Sequence, residues 1–207
     1  VNPFWIINEM SNTSKKNRLI SSASISYKIT DKLKFKLSGG ADITEFSFED
    51  FAPISTPSHE SGYLKTQTNN RTINADAVLT YSTNLGKNMS LVGTAGLNLY
   101  RVDNFQTTIT GKDMAEPEIK KINSFSDKTI VESPYQRQIN SAYAMVNLGY
   151  KNFAYLDVTV RADNTSTLIN NTYVYPSVSG SFIFSELLPS SVSKILSFGK
   201  VRASWAE

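Results

Sequence analysis

One arginine and two aspartates share a side of the run Asp157-Val158-Thr159-Val160-Arg161-Ala162-Asp163. Period-two geometry puts Asp157, Arg161 and Asp163 on the same face of an extended chain. A guanidinium beside carboxylates can hold a polar solute by paired hydrogen bonds, or it can tie neighbouring strands in register as an ion-pair network. The second role requires nothing beyond the fold and is the simpler reading. Other groups offer less. His59 is the single histidine and stands in a Ser- and Pro-rich stretch, which gives little support to a metal site or a Ser-His-Asp triad. Glu49-Asp50 and Glu116 with Glu118 are paired carboxylates of the kind glycosidases use, but they occur in irregular sequence with no enclosing scaffold. Asn12, Asn88, Asn164 and Asn170 begin glycosylation-type triplets, which reflect stretches rich in Asn and Thr. No Gly-rich phosphate loop is present. The chain is expected to be neither an enzyme nor a holder of cofactors or metals.

Aromatic side chains make the second set of candidates. Tyr63, Phe105, Phe125 and Tyr135 fall in two long stretches, 46–70 and 103–136, with a polar, irregular composition that reads as loops. Aromatic faces present flat apolar area at small entropic cost, suited to sugar rings or peptide side chains. Packing of the loops themselves would use the same residues.

The elements that position these groups are strands. Ala142, Ala144, Val146, Leu148 and Tyr150 alternate with Tyr143, Met145, Asn147, Gly149 and Lys151, and after a break Ala154, Leu156, Val158, Val160 and Ala162 alternate with polar residues. That is a hairpin with one apolar and one largely polar face. The same alternation runs through 17–30, where Leu19, Ala23, Ile25 and Tyr27 share a face, and through 33–44 after the turn at Asp31-Lys32. It returns in 73–81, 90–99, 173–185 and 200–205, giving about eight strands; 190–196 reads as a helical turn and 1–16 as a loop or strand end. Each clean arm is about ten residues, near the span of a tilted strand across a bilayer. Connections run short, long, short, long, short, medium, medium; short turns on one side and long loops on the other are what outer-membrane barrels show, and by that rule the short turns are assigned to the periplasm and the long ones to the cell exterior. Tyr27, Phe35, Tyr81, Tyr150, Phe153, Phe182, Phe184 and Trp205 fall near the short-turn ends, where an interfacial aromatic girdle is expected.

Composition narrows the classes. The 207 residues carry 21 basic and 18 acidic groups spread along the chain, a net charge of +3 that argues against a nucleic-acid footprint. There is no cysteine, hence no disulfide framework. No apolar run approaches the ~20 residues of a membrane helix, a criterion that does not bear on barrels.

Arg161-Ala162-Asp163-Asn164-Thr165-Ser166 followed by Tyr175-Pro176-Ser177-Val178-Ser179 resembles a paired motif of SusC-like TonB-dependent outer-membrane transporters. Asn2-Pro3-Phe4-Trp5, Asn147-Leu148-Gly149-Tyr150-Lys151 and Lys200-Val201-Arg202-Ala203-Ser204-Trp205 resemble further pieces of that family, in order. Thr165-Ser166 stands where the family usually has Ser-Ser, and Asn164 where Gly is common. The resemblance implies an all-β fold: an antiparallel up-and-down transmembrane β-barrel segment, about eight strands of a barrel of about 22. Residues 1–207 would be a partial barrel without the plug domain or the carboxyl-terminal strands. It implies, too, an active transporter in the outer membrane of a Gram-negative bacterium, importing glycan oligosaccharides or peptides with a SusD-like surface lipoprotein. Energy would come through the TonB complex, contacted by a region outside these residues. Tyr63, Phe105, Phe125, Tyr135, Arg161 and Asp163 are then the candidates for substrate contact. Two alternatives stay open: a small eight-stranded outer-membrane barrel with a structural or adhesive role, and a soluble β-sandwich that binds carbohydrate.

Overall fold

The computed structural model describes residues 2–54, 62–116, 119–167, 171–189 and 196–207. A helix α1 (Pro3–Glu9) is followed by eight strands: β1 (Ser11–Lys28), β2 (Leu33–Ala52), β3 (Gly62–Leu85), β4 (Met89–Met114), β5 (Phe125–Tyr150), β6 (Ala154–Thr165), β7 (Thr172–Phe182) and β8 (Val201–Ala206). They form one antiparallel sheet in sequence order, an up-and-down meander. All eight expected strands are present.

Two expectations need correction. The opening residues begin as a helix: the Asn2 side chain accepts from the Phe4 N–H at 3.0 Å and Pro3 occupies the first turn, the usual N-terminal pairing of a capping residue with a proline. The stretches 46–70 and 103–136 are mostly strand, because β2 runs on to Ala52, β3 begins at Gly62, β4 runs to Met114 and β5 begins at Phe125. Tyr63, Phe105, Phe125 and Tyr135 therefore stand on strands. His59, Glu118, Asn170 and most of the expected helical turn at 190–196 lie outside the described residues.

The chain divides into two compact units. The first comprises Val1–Ser21, Ala41–Ile73 and Arg101–Arg137. Its core is a cluster of Phe51, Tyr63, Met114 and Phe125 with Ile122 packed against it. Phe125, 1% exposed, meets Phe51 edge-on at 6.2 Å and Tyr63 at 6.1 Å between ring centroids. Burying such a ring contributes about 1.5–3 kcal/mol. Gly111 makes the close packing possible, since a Cβ there would stand 2.8 Å from the Phe125 ring. A short 3-10 turn, Ile122–Ser124, brings Phe125 in. The buried Ser124 hydroxyl holds that turn by donating to the carbonyls of Ile119 and Lys121. Lys120 bridges to Glu9 at 3.5 Å and to the Asn8 carbonyl at 3.1 Å, which fastens α1 to the same unit.

The second unit comprises Ser22–Gly40, Asn74–Tyr100 and Gln138–Glu207. Its register aligns apolar with apolar residues across four strands: Val146, Val158, Val178 and Trp205 stand abreast, as do Ala144, Val160 and Pro176. Polar residues form the intervening rows, among them Asn147, Asp157, Ser179 and Ser204. The apolar rows are the exposed ones, with Val158 at 42%, Val160 at 44% and Trp205 at 58%. Asp157, Thr159 and Arg161 on the opposite face are half-buried. A water-soluble sandwich has the reverse arrangement, because each such aliphatic left in water forgoes about 1.5–3 kcal/mol. Trp205 lies abreast of Val158 in the middle of the stripe rather than near a short turn. Tyr150, Phe153 and Phe182 do meet at the β5–β6 turn, edge-on at 5.5 and 5.8 Å. That turn is tight, with Lys151 and Asn152 both at positive φ.

Candidate functional site

The polar face of the second unit is built by the same alternation that makes the apolar stripe. Tyr143, Arg161 and Tyr175 stand in one row, and Ser141, Asp163 and Tyr173 in the next. Arg161 donates from Nε to Asp163 Oδ1 at 2.7 Å and from Nη2 to Ser141 Oγ at 2.9 Å. The guanidinium thus spans β5 and β6, as a register-holding role requires, while its side chain stays 41% exposed. Tyr143 lies over Gly96 of β4, where a Cβ would collide with the ring, so a small residue on one strand seats an aromatic from the next. Farther along, Asp157 accepts from Asn147 and, at 3.3 Å, from Ser179. On β3 and β4, Asn98 donates to Asp76 at 2.7 Å and to Asn74 at 2.9 Å, and Asn74 donates to Asp76 at 3.1 Å. A shallow groove on this face is lined by Ser22, Ser24, Ser38, Gly40, Asn74 and Asp76.

Carboxamides, hydroxyls and carboxylates satisfied by their neighbours make a polar wall that can exchange hydrogen bonds with a polar solute. Among the described residues the wall contains no nucleophile paired with a base. Glu49-Asp50 cannot converge on a substrate either, since adjacent strand residues point to opposite faces. Glu49 pairs with Lys121 at 3.2 Å, whereas Asp50 accepts from Asn12 at 3.1 Å.

The aromatic candidates separate. Tyr63 and Phe125 are buried in the first unit's core, so their rings are covered by protein and not open to a solute. Burial, with the Glu49 carboxylate beside the hydroxyl, pushes the Tyr63 phenol up to about 12. Tyr135 is 51% exposed. Phe105, 40% exposed, lines a groove together with Ile43, the last residue of the apolar stripe on β2. It therefore stands on the apolar-stripe side of the sheet. Sequence reasoning missed the tyrosines at 143, 173 and 175 in these two rows. Their place was readable once the strand register is known, because each sits at an odd position opposite Arg161 or Asp163.

No family model matches the sequence, and no curated protein matches it. Solved structures do. A structure of the RagAB peptide transporter superposes over 99% of this chain with a TM-score of 0.84 at 13% identity. The RagAB peptide importer in its open-open state matches with a TM-score of 0.82 at 14% identity, again over 99%. BauA, the ferric preacinetobactin receptor of Acinetobacter baumannii, matches over 83% with a TM-score of 0.52 at 15% identity. The chain spans only about a quarter of the RagAB chains it matches, 24% and 23%. At such identities the likeness establishes the fold alone: these strands are arranged as a section of a β-barrel wall.

Proposed function

We propose that this chain is part of the barrel wall of a TonB-dependent outer-membrane transporter that imports peptides or glycan oligosaccharides. The observation that carries the reading is the inverted polarity of the second unit: an exposed aliphatic stripe backed by a polar, hydrogen-bonded face. A lipid-facing exterior and a watery lumen explain both at once. The likeness to a peptide transporter supports transport. This reading assigns a SusD-like surface lipoprotein as partner, in keeping with the likeness to the RagAB peptide transporter. Coupling to TonB would reside in segments beyond these 207 residues. Arg161 and Asp163, with the tyrosines beside them, and Tyr135 of the first unit are the substrate-contact candidates; Tyr63 and Phe125 support the first unit from within.

The test is a pair of substitutions in the full polypeptide that carries this section. Val158→Arg at the middle of the stripe is expected to destabilise the folded protein by roughly 2–4 kcal/mol, while Thr159→Arg is tolerated. Equal damage from both would reject the membrane assignment. Loss of peptide or oligosaccharide uptake in correctly folded Arg161→Ala protein would support the lumenal contact.

A further inference from the structure

Each connection at one end of the second unit carries a lysine. Lys32 stands in the β1–β2 turn, Lys87 in the β3–β4 turn and Lys151 in the β5–β6 turn, and Lys200 lies just before β8. All four are exposed. The described acidic residues of these connections are Asp31, which Lys28 holds at 2.7 Å, and Glu186. Backbone bonds tie the turns to their neighbours. The Ser82 N–H donates to the Lys32 carbonyl at 2.8 Å, the Lys151 N–H to the Asn88 carbonyl at 2.8 Å, and the Ile183 N–H to the Phe153 carbonyl at 2.7 Å. The lysines therefore spring from a fixed line, one for every two strands, a spacing of about 10 Å. This line borders the apolar stripe of the same unit. Tyr150, Ala154 and Phe182 stand abreast in the row nearest the β5–β6 turn, and Phe153 packs edge-on against Tyr150 and Phe182. The Lys151 ammonium lies 5.4 Å from the centroid of the exposed Tyr150 ring, so its charge sits over the aromatic edge of the stripe.

We propose that this line of lysines binds the headgroups of anionic phospholipids whose acyl chains lie along the apolar stripe. The proposal rests on the membrane reading above and adds a charge preference that the stripe by itself does not supply. Basic residues at a membrane surface favour anionic lipid, and a lysine keeps its stem on apolar surface while its ammonium reaches the polar layer. Single ammonium groups set well apart suit headgroups that carry one phosphate each. A bisphosphorylated glycolipid calls for cations gathered together, and an acidic protein segment would leave the aromatic row at Tyr150 and Phe182 uncovered.

The experiment places the full polypeptide that carries this section in nanodiscs of equal phosphatidylglycerol and phosphatidylcholine. Lipids that stay bound on release from the disc are counted by native mass spectrometry. Wild type should retain phosphatidylglycerol in preference, and the preference should shrink as salt is raised. Lys87→Gln combined with Lys151→Asn should lower it about fivefold for each charge removed. Asn suits position 151 because the backbone there has a φ of 46°. Lys87→Arg should keep the preference, and so should Lys65→Gln, a charge removed near the other end of β3. Equal retention of the two lipids by wild type, or a preference unmoved in the double variant, would overturn the proposal. Discs of phosphatidylcholine with bisphosphorylated lipid A test the other phosphate source. Tighter retention of lipid A than of phosphatidylglycerol, lost in the same double variant, would overturn the assignment to phospholipid. Failure of the membrane reading has a different signature: wild type would then retain neither phosphatidylglycerol nor phosphatidylcholine, and both inferences would fall.

Discussion

Asp163 decides between two roles for the Arg161 cluster. Its bond to Arg161 is partly exposed, and such pairs contribute about 0–1 kcal/mol. Asp163→Ala should therefore leave unfolding nearly unchanged, by less than about 1 kcal/mol, whether or not transport is affected. A fall in substrate affinity with intact stability assigns the cluster to recognition; a larger loss of stability with normal uptake assigns it to strand register. Tyr63 makes a different prediction. Its phenol is raised from 10.0 to about 12 by burial and by Glu49. The folded protein thus resists ionisation that the unfolded chain accepts. The corresponding stability is fully present below pH 10 and is lost as pH climbs toward 12. Alkaline unfolding of the first unit, followed by near-ultraviolet circular dichroism, should move to higher pH in Tyr63→Phe; an unmoved curve contradicts the burial account.

Strands were legible wherever one face is apolar and the other polar. Leu19 through Tyr27, Leu33 through Ile43, and the two arms of Ala142 through Ala162 show it cleanly, and each became a strand. The ends of β2 to β5 were not legible because beyond Ile43, Ile73 and Leu99 the face that had been apolar turns to Glu45, Arg71 and Arg101, and the alternation that marks a strand is lost. Backbone pairing and a handful of apolar side chains hold them instead. Those side chains, Phe51, Tyr63, Met114 and Phe125, are far apart in sequence and meet only in the fold, which is why Tyr63 and Phe125 read as binding aromatics. The arginine and aspartate of the polar face were visible as period-two neighbours, whereas Ser141 and Tyr175 were not, because their pairing depends on register between strands. Phe125→Ala should open the first unit's core at a cost of about 3–5 kcal/mol. Hydrogen exchange should speed up at Phe51 and Met114 and remain unchanged at Val146 and Val158. Acceleration spread equally over both sets would mean that the two units do not unfold separately.

At the scale of the whole chain, the strand order ends at β1 and β8, each with one neighbouring strand among the described residues. In hydrocarbon an unpaired backbone edge costs several kcal/mol per group. The proposed membrane reading therefore requires a strand beside each of these edges; the chain covers about a quarter of the length of the solved structures it matches. All of this depends on one claim, that the face bearing Leu156, Val158 and Val160 meets lipid and the face bearing Asp157, Thr159 and Arg161 meets water. Single cysteines at these six positions of the full polypeptide, in a protein with none among these 207 residues, can be challenged in outer membranes with a lipid-soluble and a water-soluble thiol reagent. The account predicts strict alternation, with the lipid-soluble reagent modifying the even positions and the water-soluble one the odd. Uniform modification of all six by the water-soluble reagent would contradict it.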